Sequence, residues 1–345
     1  MKEEEEAEDK DIQEEELFEH HKFIADPGQE VLRIDKFLLD RVPNTSRNKI
    51  QIAAKNGNIL VNKIKVKQNY KIKPHDEVSI VLPYPIREIE LIPENIPIEI
   101  VYEDDDLAIV NKPSNMVVHP GYGNYTGTMV NALVYHFDNL PHKIQDYFGR
   151  PGLVHRLDKH TTGLMVVAKT EIALTKLAKQ FYDRTTERRY WALVWGNLTE
   201  PGTVTGHLGR SLKNRKIMTV FPEADFGKHA VTHYTPIKNY GLVTLVECKL
   251  ETGRTHQIRV HMKHIGHTLF NDKEYKGDAV LKGTKNTKYQ RFIENCFDMI
   301  PGQALHAKTL GFTHPTTGEF MQFNSELPEG FQGIIDKWEK YTIDY

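Results

Sequence analysis

Charge is segregated along this chain, and the segregation limits what each part can fold into. Residues 1 to 19 carry 11 acidic side chains against Lys2 and Lys10, whereas residues 31 to 82 carry 11 Lys and Arg against Asp35, Asp40, Asp76 and Glu77. The formal net charge of −2 over 345 residues is therefore an average of unlike parts. The acidic stretch, taken to about residue 22, has too few apolar side chains to offset the entropy of ordering it, so residues 1–22 are expected to form a disordered tail. The basic stretch has an electrostatic footprint suited to phosphate backbones. A solvated surface of a small domain is the competing explanation, and the pattern of the segment has to decide.

That pattern is regular. Val31, Ile34, Phe37 and Leu38 recur at helical spacing, Thr45 or Ser46 offers an N-cap for a second helix, and Gly57 would end it. Ile59 to Val61, an Asn62-Lys63 turn, Ile64 with Val66, and Val78 to Leu82 then read as small strands. A connector holding Pro83, Pro85, Pro93 and Pro97 marks a domain boundary. Beyond it, strand-like runs at Ile98–Tyr102, Leu107–Asn111, Leu164–Lys169, Tyr190–Trp195 and Val243–Lys249 alternate with helical stretches at Ile172–Tyr182 and Gly330–Tyr341. A mixed α and β domain over about 95–340 follows, with the polar, Lys- and Gly-rich segment Lys276–Asn295 expected to be a surface insertion. No internal repeat is present.

Several function classes drop out. No run approaches the roughly 18 apolar residues of a membrane span, and the N-terminus is acidic where a secretory signal would be basic, so a cytoplasmic protein is expected. Cys248 and Cys296 are the only cysteines and form no C-x-x-C, which removes zinc ribbons and disulfide scaffolds and leaves two reduced thiols. His264-Ile265-Gly266-His267 spells a synthetase nucleotide signature but lies near the C-terminus without its Lys-rich partner loop. Gly121, Gly123 and Gly127 are spaced one residue too long for a dinucleotide loop, and neither a phosphate-binding loop nor a G-x-S-x-G elbow occurs. His256, His261, His264 and His267 stand in no H-E-x-x-H and have no cysteine beside them, so they are expected at the surface or facing RNA rather than on a metal.

Three runs carry chemistry. In Gly152–Leu164, Asp158 sits on a loop entering an apolar strand, where it either acts or merely caps the turn at Thr161, Thr162 and Gly163. In Arg188–Gly196, alternation puts Tyr190, Ala192 and Val194 on one strand face, and a core tyrosine is the plain alternative. Leu250–His261 is a basic run with more hydrogen-bonding groups than an ordinary core helix carries.

With these residues in view, the sequence resembles the RluA family of pseudouridine synthases over about residues 95–325. The family's H-R-L-D-x-x-T-S-G-L run reads here from His155 to Leu164 with Thr162 for Ser, which keeps the hydroxyl; its R-x-Y-x-A run reads at Arg188–Ala192, and its T-G-R-x-H-Q-I-R-V-H run is complete from Thr252 to His261. His119-Pro120-Gly121 with Gly127-Thr128, Gly266-His267 and Ala304–Ala307 also fit, while Asn271-Asp272 stands where the family usually has Gly-Asp. Residues 31–83 resemble the alpha-L RNA-binding module shared with a small-subunit ribosomal protein. The combination is similar to the branch that acts on large-subunit ribosomal RNA, the RluC and RluD type.

The resemblance implies an α+β fold, with a mixed, largely antiparallel central sheet preceded by a small α/β module. It implies isomerisation of uridine to pseudouridine in RNA by a monomer, with no membrane and no nucleotide or other cofactor. Asp158 becomes the catalytic carboxylate, Tyr190 the active-site tyrosine and Arg259 the ion-pair partner of Asp158. Arg156 would assist base flipping, Arg254 and His256 would contact RNA, and Arg47 and Lys49 would contact it from the module. The roles are chemically sensible. A carboxylate can add to the sugar, stabilise it as the N1 to C1′ bond breaks, or take a sugar proton, and the sequence leaves these routes open. Burial would neutralise Asp158 unless a guanidinium held it ionised. A non-catalytic RNA-binding or ribosome-assembly factor on the same fold is the alternative, against which the intact Asp158, Tyr190 and Arg259 argue.

Overall fold

The computed structural model describes residues 17–42, 45–82, 91–121, 123–141, 150–212, 214, 217–221, 226–284 and 286–343, which fall into one unit up to residue 82 and a second from residue 91. The first runs β1 (Phe18–Ile24), β2 (Leu32–Arg33), α1 (Ile34–Leu39), α2 (Arg47–Lys55), β3 (Ile59–Val61), β4 (Ile64–Lys65), β5 (Lys71–Ile72) and β6 (Glu77–Leu82). Ser46 is the cap of α2, its Oγ accepting from Lys49 N at 3.3 Å. Asn62 and Lys63, both left-handed with φ of 49° and 67°, make the tight turn between β3 and β4. Ile34, Phe37 and Leu38 pack on Ile50, Ala54, Ile59 and Val78 to form a small apolar core.

The unit begins earlier than composition suggests. β1 starts within the stretch expected to be a tail and pairs antiparallel with β6, from Phe18 opposite Leu82 to Ile24 opposite Glu77. An edge strand needs only backbone partners and one half-buried side. Ser79 Oγ donates to Glu19 at 2.6 Å, and Lys22 pairs with Glu77 at 2.8 Å, so the charges that disguised the strand help to seat it. Residues 1–16 of the expected tail, and Pro83 and Pro85 of the connector, lie outside the described residues.

The second unit runs β7 (Glu99–Glu103), β8 (Leu107–Lys112), α3 (Met129–His136), β9 (Thr162–Ala168), α4 (Glu171–Asp183), β10 (Glu187–Trp195), β11 (Gly202–Arg210), β12 (Met218–Phe221), β13 (Lys228–Asn239), β14 (Val243–Leu250), α5 (Gln257–His264), α6 (Thr287–Phe297), β15 (Leu305–Thr313), β16 (Phe320–Asn324) and α7 (Glu329–Ile343). Its ten-stranded sheet has the order β12-β11-β13-β14-β10-β15-β9-β8-β7, with β16 added on β15. The named pairings are antiparallel except β9 with β15, where Thr162 and Gly163 lie beside His306 and Ala307. Here glycine is required: Gly163 has φ +109°, and a Cβ on it would collide with the backbone of Ala307. Every residue of β9 is buried, because helix and sheet neighbours cover both of its faces. One core joins Ala108, Met165, Val167, Tyr190 and Ile258; a second joins Leu193, Trp195, Phe270 and Trp338.

Two expectations are corrected. Part of Lys276–Asn295 is no surface insertion: α6 starts at the Asn286 cap, whose side chain accepts from Tyr289 N at 2.7 Å, and buries Tyr289, Ile293 and Cys296. Those three residues have helical spacing, but they straddle the end of the polar segment and were diluted by its lysines and glycines. Nor does the histidine cluster lie wholly at the surface. His261 is fully buried with Nδ1 bonded to Thr232 Oγ1 at 2.9 Å, and burial pushes its pKa down to about 4.

Candidate active site

The loop between Gly152 and β9 is fixed before its carboxylate is aimed. His155 stacks on Phe181 with ring centroids 4.6 Å apart, and its Nε2 accepts from Val166 N at 3.1 Å. Burial pushes the His155 pKa down to about 3, so the ring is neutral and free to accept. At the other end Thr162 Oγ1 bonds His306 Nδ1 at 2.8 Å, and His306 Nε2 bonds Ser325 Oγ at 2.8 Å, which gives the hydroxyl at position 162 a structural use. Thr161 N donates to the Asp158 carbonyl at 3.1 Å. The backbone of Asp158 thus closes the turn while its carboxylate points elsewhere.

That carboxylate meets α5. Arg259 Nη1 donates to Asp158 Oδ2 at 3.2 Å. The guanidinium is anchored behind by Asp272, which accepts from Nε at 2.7 Å and from Nη2 at 2.8 Å, and it also pairs with Glu274. Burial opposes the charge on Arg259, yet the Asp272 hydrogen bonds and charge, followed by Asp158 and Glu274, raise its pKa well above the ordinary value. The α5 run is a core helix after all, and it places several of its polar groups on partners: Gln257 donates to Val231 O and Thr232 Oγ1, each at 2.9 Å. Asn271 takes φ 60°, a conformation Asn tolerates, and donates to Phe297 O and Ile300 O. The departure from Gly at that position therefore leaves the Asp272 loop intact.

Lys112 also belongs to the site, although no expectation named it. At the end of β8 and only 1% exposed, its Nζ donates to the carbonyls of Pro113 at 2.7 Å, Met116 at 2.9 Å and Lys159 at 3.1 Å. It ties the 113–116 loop to the residue after Asp158. Burial pushes its pKa down to about 7 and the Asp158 charge works against that fall. A lysine closing an apolar strand just before a proline was the available signal.

Asp158, Tyr190, Arg259, Arg156, Arg254 and His256 all line one open cavity of about 1090 Å³, enough for a nucleotide and its neighbours. Tyr190 is 8% exposed, and burial raises its pKa, with Arg188 opposing and Asp158 adding to the rise. Arg156 is exposed; Arg254 Nε donates to His229 O at 3.1 Å. His256 Nε2 lies 3.9 Å from Asp158 Oδ1, and its Nδ1 bonds the Tyr275 hydroxyl at 2.9 Å. Burial lowers the His256 pKa, with the Asp158 charge acting the other way. Arg47 and Lys49 belong to the first unit and are not among this lining. Arg47 instead pairs at 3.0 Å with Asp35, whose carboxyl burial would raise, but which bonds from Gln51, Arg47 and Arg33 hold down at about 2.

Residues 106–264 match the family described as RNA pseudouridylate synthase, and residues 32–78 match the S4 domain. An uncharacterized RNA pseudouridine synthase of Chlorobaculum parvum is 45% identical, with 90% of this chain and 94% of that protein aligned. The ribosomal large subunit pseudouridine synthase D of Zymomonas mobilis is 42% identical over 87% of this chain and 92% of its own. Among solved structures, human RNA pseudouridylate synthase domain containing 4 has a TM-score of 0.52 at 25% identity, covering 70% of this chain and 93% of that one.

Proposed function

The chain belongs to the RNA pseudouridylate synthase family, and on that premise we propose that it isomerises uridines of large-subunit ribosomal RNA, with Asp158 as the catalytic carboxylate. The observation that carries the reading is the 3.2 Å pair between Asp158 and Arg259 at a nucleotide-sized cavity. The name of the Zymomonas mobilis relative supports the large ribosomal subunit as the source of substrate, and the matched S4 domain supports a separate RNA contact. Cytoplasmic action on RNA fits a chain in which, among the described residues, no helix is long and apolar enough to cross a membrane.

The reaction detaches uracil from C1′, turns it, joins C5 to C1′ and moves the C5 proton, without net oxidation. Asp158, kept beside a guanidinium, opposes the charge that develops on the sugar or bonds to it directly. Tyr190 offers a ring face to the uracil, and its hydroxyl, kept protonated by burial, can relay the last proton, taking the one from C5 as it passes its own to water, which in turn supplies N1. Extruding the target base costs roughly a few kcal/mol, which the exposed Arg156 offsets by filling the vacated stack. Arg254 and His256 contact the RNA at the rim, and Arg47 and Lys49 do so from the first unit.

The test is to map pseudouridine in ribosomal RNA from cells lacking the gene, then to restore either the wild-type chain or Asp158→Asn. Loss of particular pseudouridines from the large-subunit RNA, repaired only by the wild type, is the expected result. An unchanged large-subunit map would overturn the substrate, and repair by Asp158→Asn would overturn the role of that carboxylate.

A further inference from the structure

Two guanidiniums are buried against the active cavity, and they are treated differently. Arg259 is 3% exposed and surrounded by Asp158, Asp272 and Glu274. Arg188, on β10, is 7% exposed and has no carboxylate within ion-pair distance among the described residues. Its Nε is buried without a hydrogen-bond partner. An unpaired buried charge is among the costliest arrangements a protein can hold, so it points to a counter-charge that arrives from outside.

The surroundings form a seat. The guanidinium carbon lies 5.5 Å from the centroid of the Phe181 ring. A Cβ on Gly253 would sit 2.9 Å from Arg188 Nη1, so the missing side chain at 253 leaves the room that the guanidinium occupies. Arg150, Arg184 and Arg254 line the same cavity, and its arginines outnumber the lining carboxylates of Asp158, Asp183 and Glu251, which leaves it positive on balance. Burial lowers the Arg188 pKa, Tyr190 offsets part of that, and Arg184 adds to it. A neutral carbonyl of uracil would satisfy a hydrogen bond without balancing the charge, whereas a phosphate does both and matches the guanidinium fork.

We propose that Arg188 binds a backbone phosphate of the substrate RNA next to the uridine held at Tyr190. This rests on the reading of the cavity as the uridine pocket. Arg188 and Tyr190 point to the same side of β10, as their shared burial shows, and positions two apart on a strand are about 7 Å apart. That spacing suits a base and its own phosphate. Arg188 is in this account a phosphate-binding residue that fixes where the sugar falls relative to Asp158.

The experiment combines a protein change with a chemical one. A ribosomal RNA fragment selected by footprinting with the full chain is made with single neutral methylphosphonate linkages on either side of its protected uridines. Wild type, Arg188→Gln and Arg188→Lys are titrated with each fragment at several salt concentrations. For wild type, one neutral linkage should weaken binding about tenfold. Arg188→Gln should show a similar loss with natural RNA and no further loss at that linkage, since coupled partners are not additive. Its log-log salt slope should fall by roughly 0.7, and Arg188→Lys, which keeps the charge, should recover most of that slope. Because an unpaired buried charge is removed, Arg188→Gln should unfold no earlier than wild type. Independent, multiplying effects at every linkage would overturn the proposal, as would early unfolding of Arg188→Gln with unchanged RNA affinity. Coupled binding with no pseudouridine formed would sink the substrate reading alone, and pseudouridine formation with uncoupled binding would sink this site alone.

Discussion

Arg259 holds Asp272 through two bonds of 2.7 and 2.8 Å and reaches Asp158 through one of 3.2 Å. The buried Asp272 thus aims the guanidinium, and the contact with Asp158 is left the more adjustable of the two. Asp272→Asn should lower kcat with little change in RNA affinity, because Arg259 loses its anchor but keeps its charge. Breaking a buried pair costs about 3 to 5 kcal/mol, so the thermal midpoint should fall as well. Parallel kcat, Kd and unfolding measurements check this; an unchanged kcat would mean that Asp272 does not position Arg259.

Asp158→Asn keeps size and removes charge. Turnover should vanish while RNA binding stays near wild type, and a tritium-release assay beside a filter-binding titration separates the two. Activity close to wild type would end the assignment.

Tyr190→Phe keeps the ring against the base and deletes the hydroxyl. We expect RNA binding within about twofold of wild type and a kcat reduced by two to four orders of magnitude, the usual reach of proton-transfer catalysis. Normal turnover would leave Tyr190 with stacking alone.

Acid should destabilise the protein through its buried histidines. The pKa of His155 is pushed down to about 3, and those of His261 and His306 to about 4. Rings in the unfolded chain take up protons below about 6.5, so between that pH and about 4 the unfolded state binds more protons and is favoured. Each ring should remove about 1.4 kcal/mol per pH unit in that window and nothing above it. Urea midpoints at pH 7.5 and 5 should show the drop in wild type and a smaller one in His261→Gln. Identical drops would place the acid sensitivity elsewhere.

Deleting residues 1–85 removes the basic first unit and should leave a folded second unit that still isomerises a susceptible uridine. Binding should weaken and depend less on salt, each lost phosphate contact taking roughly 0.7 to 0.9 from the log-log slope. Superimposable slopes for the two forms would mean that the basic residues of 31–82 face something other than RNA.

The long elements were legible because they obey one period and are buried on a defined side. β8, β9, β10, β14, α4 and α7 all fall on runs whose apolar spacing announces them. β1 and α6 were hidden by the same cause, a few core residues set among charges. For the site, Asp158, Tyr190 and Arg259 could be named because the runs that hold them resemble those of a known family, whereas residue types alone left a turn cap and a core tyrosine open. Lys112 offered only its place before Pro113, and Asp272 and the empty-handed Arg188 offered less. What defines them is a partner 13 to 47 positions away, as with Asp272 and Lys159, or the lack of one, and neither is written in local spacing.

The parallel seam between β9 and β15 also sets an order of events. β15 lies between β10 and β9 in the sheet, yet it leaves the ribosome more than 100 residues after both, since it spans Leu305–Thr313. Until then the nascent chain holds two sheet fragments with open edges, and His306 is not there to brace Thr162. Pairings so distant in sequence form late and slowly. The Asp158 loop should therefore be among the last parts to settle, and a growing chain would have no competent site to turn on the ribosomal RNA of the particle that is making it.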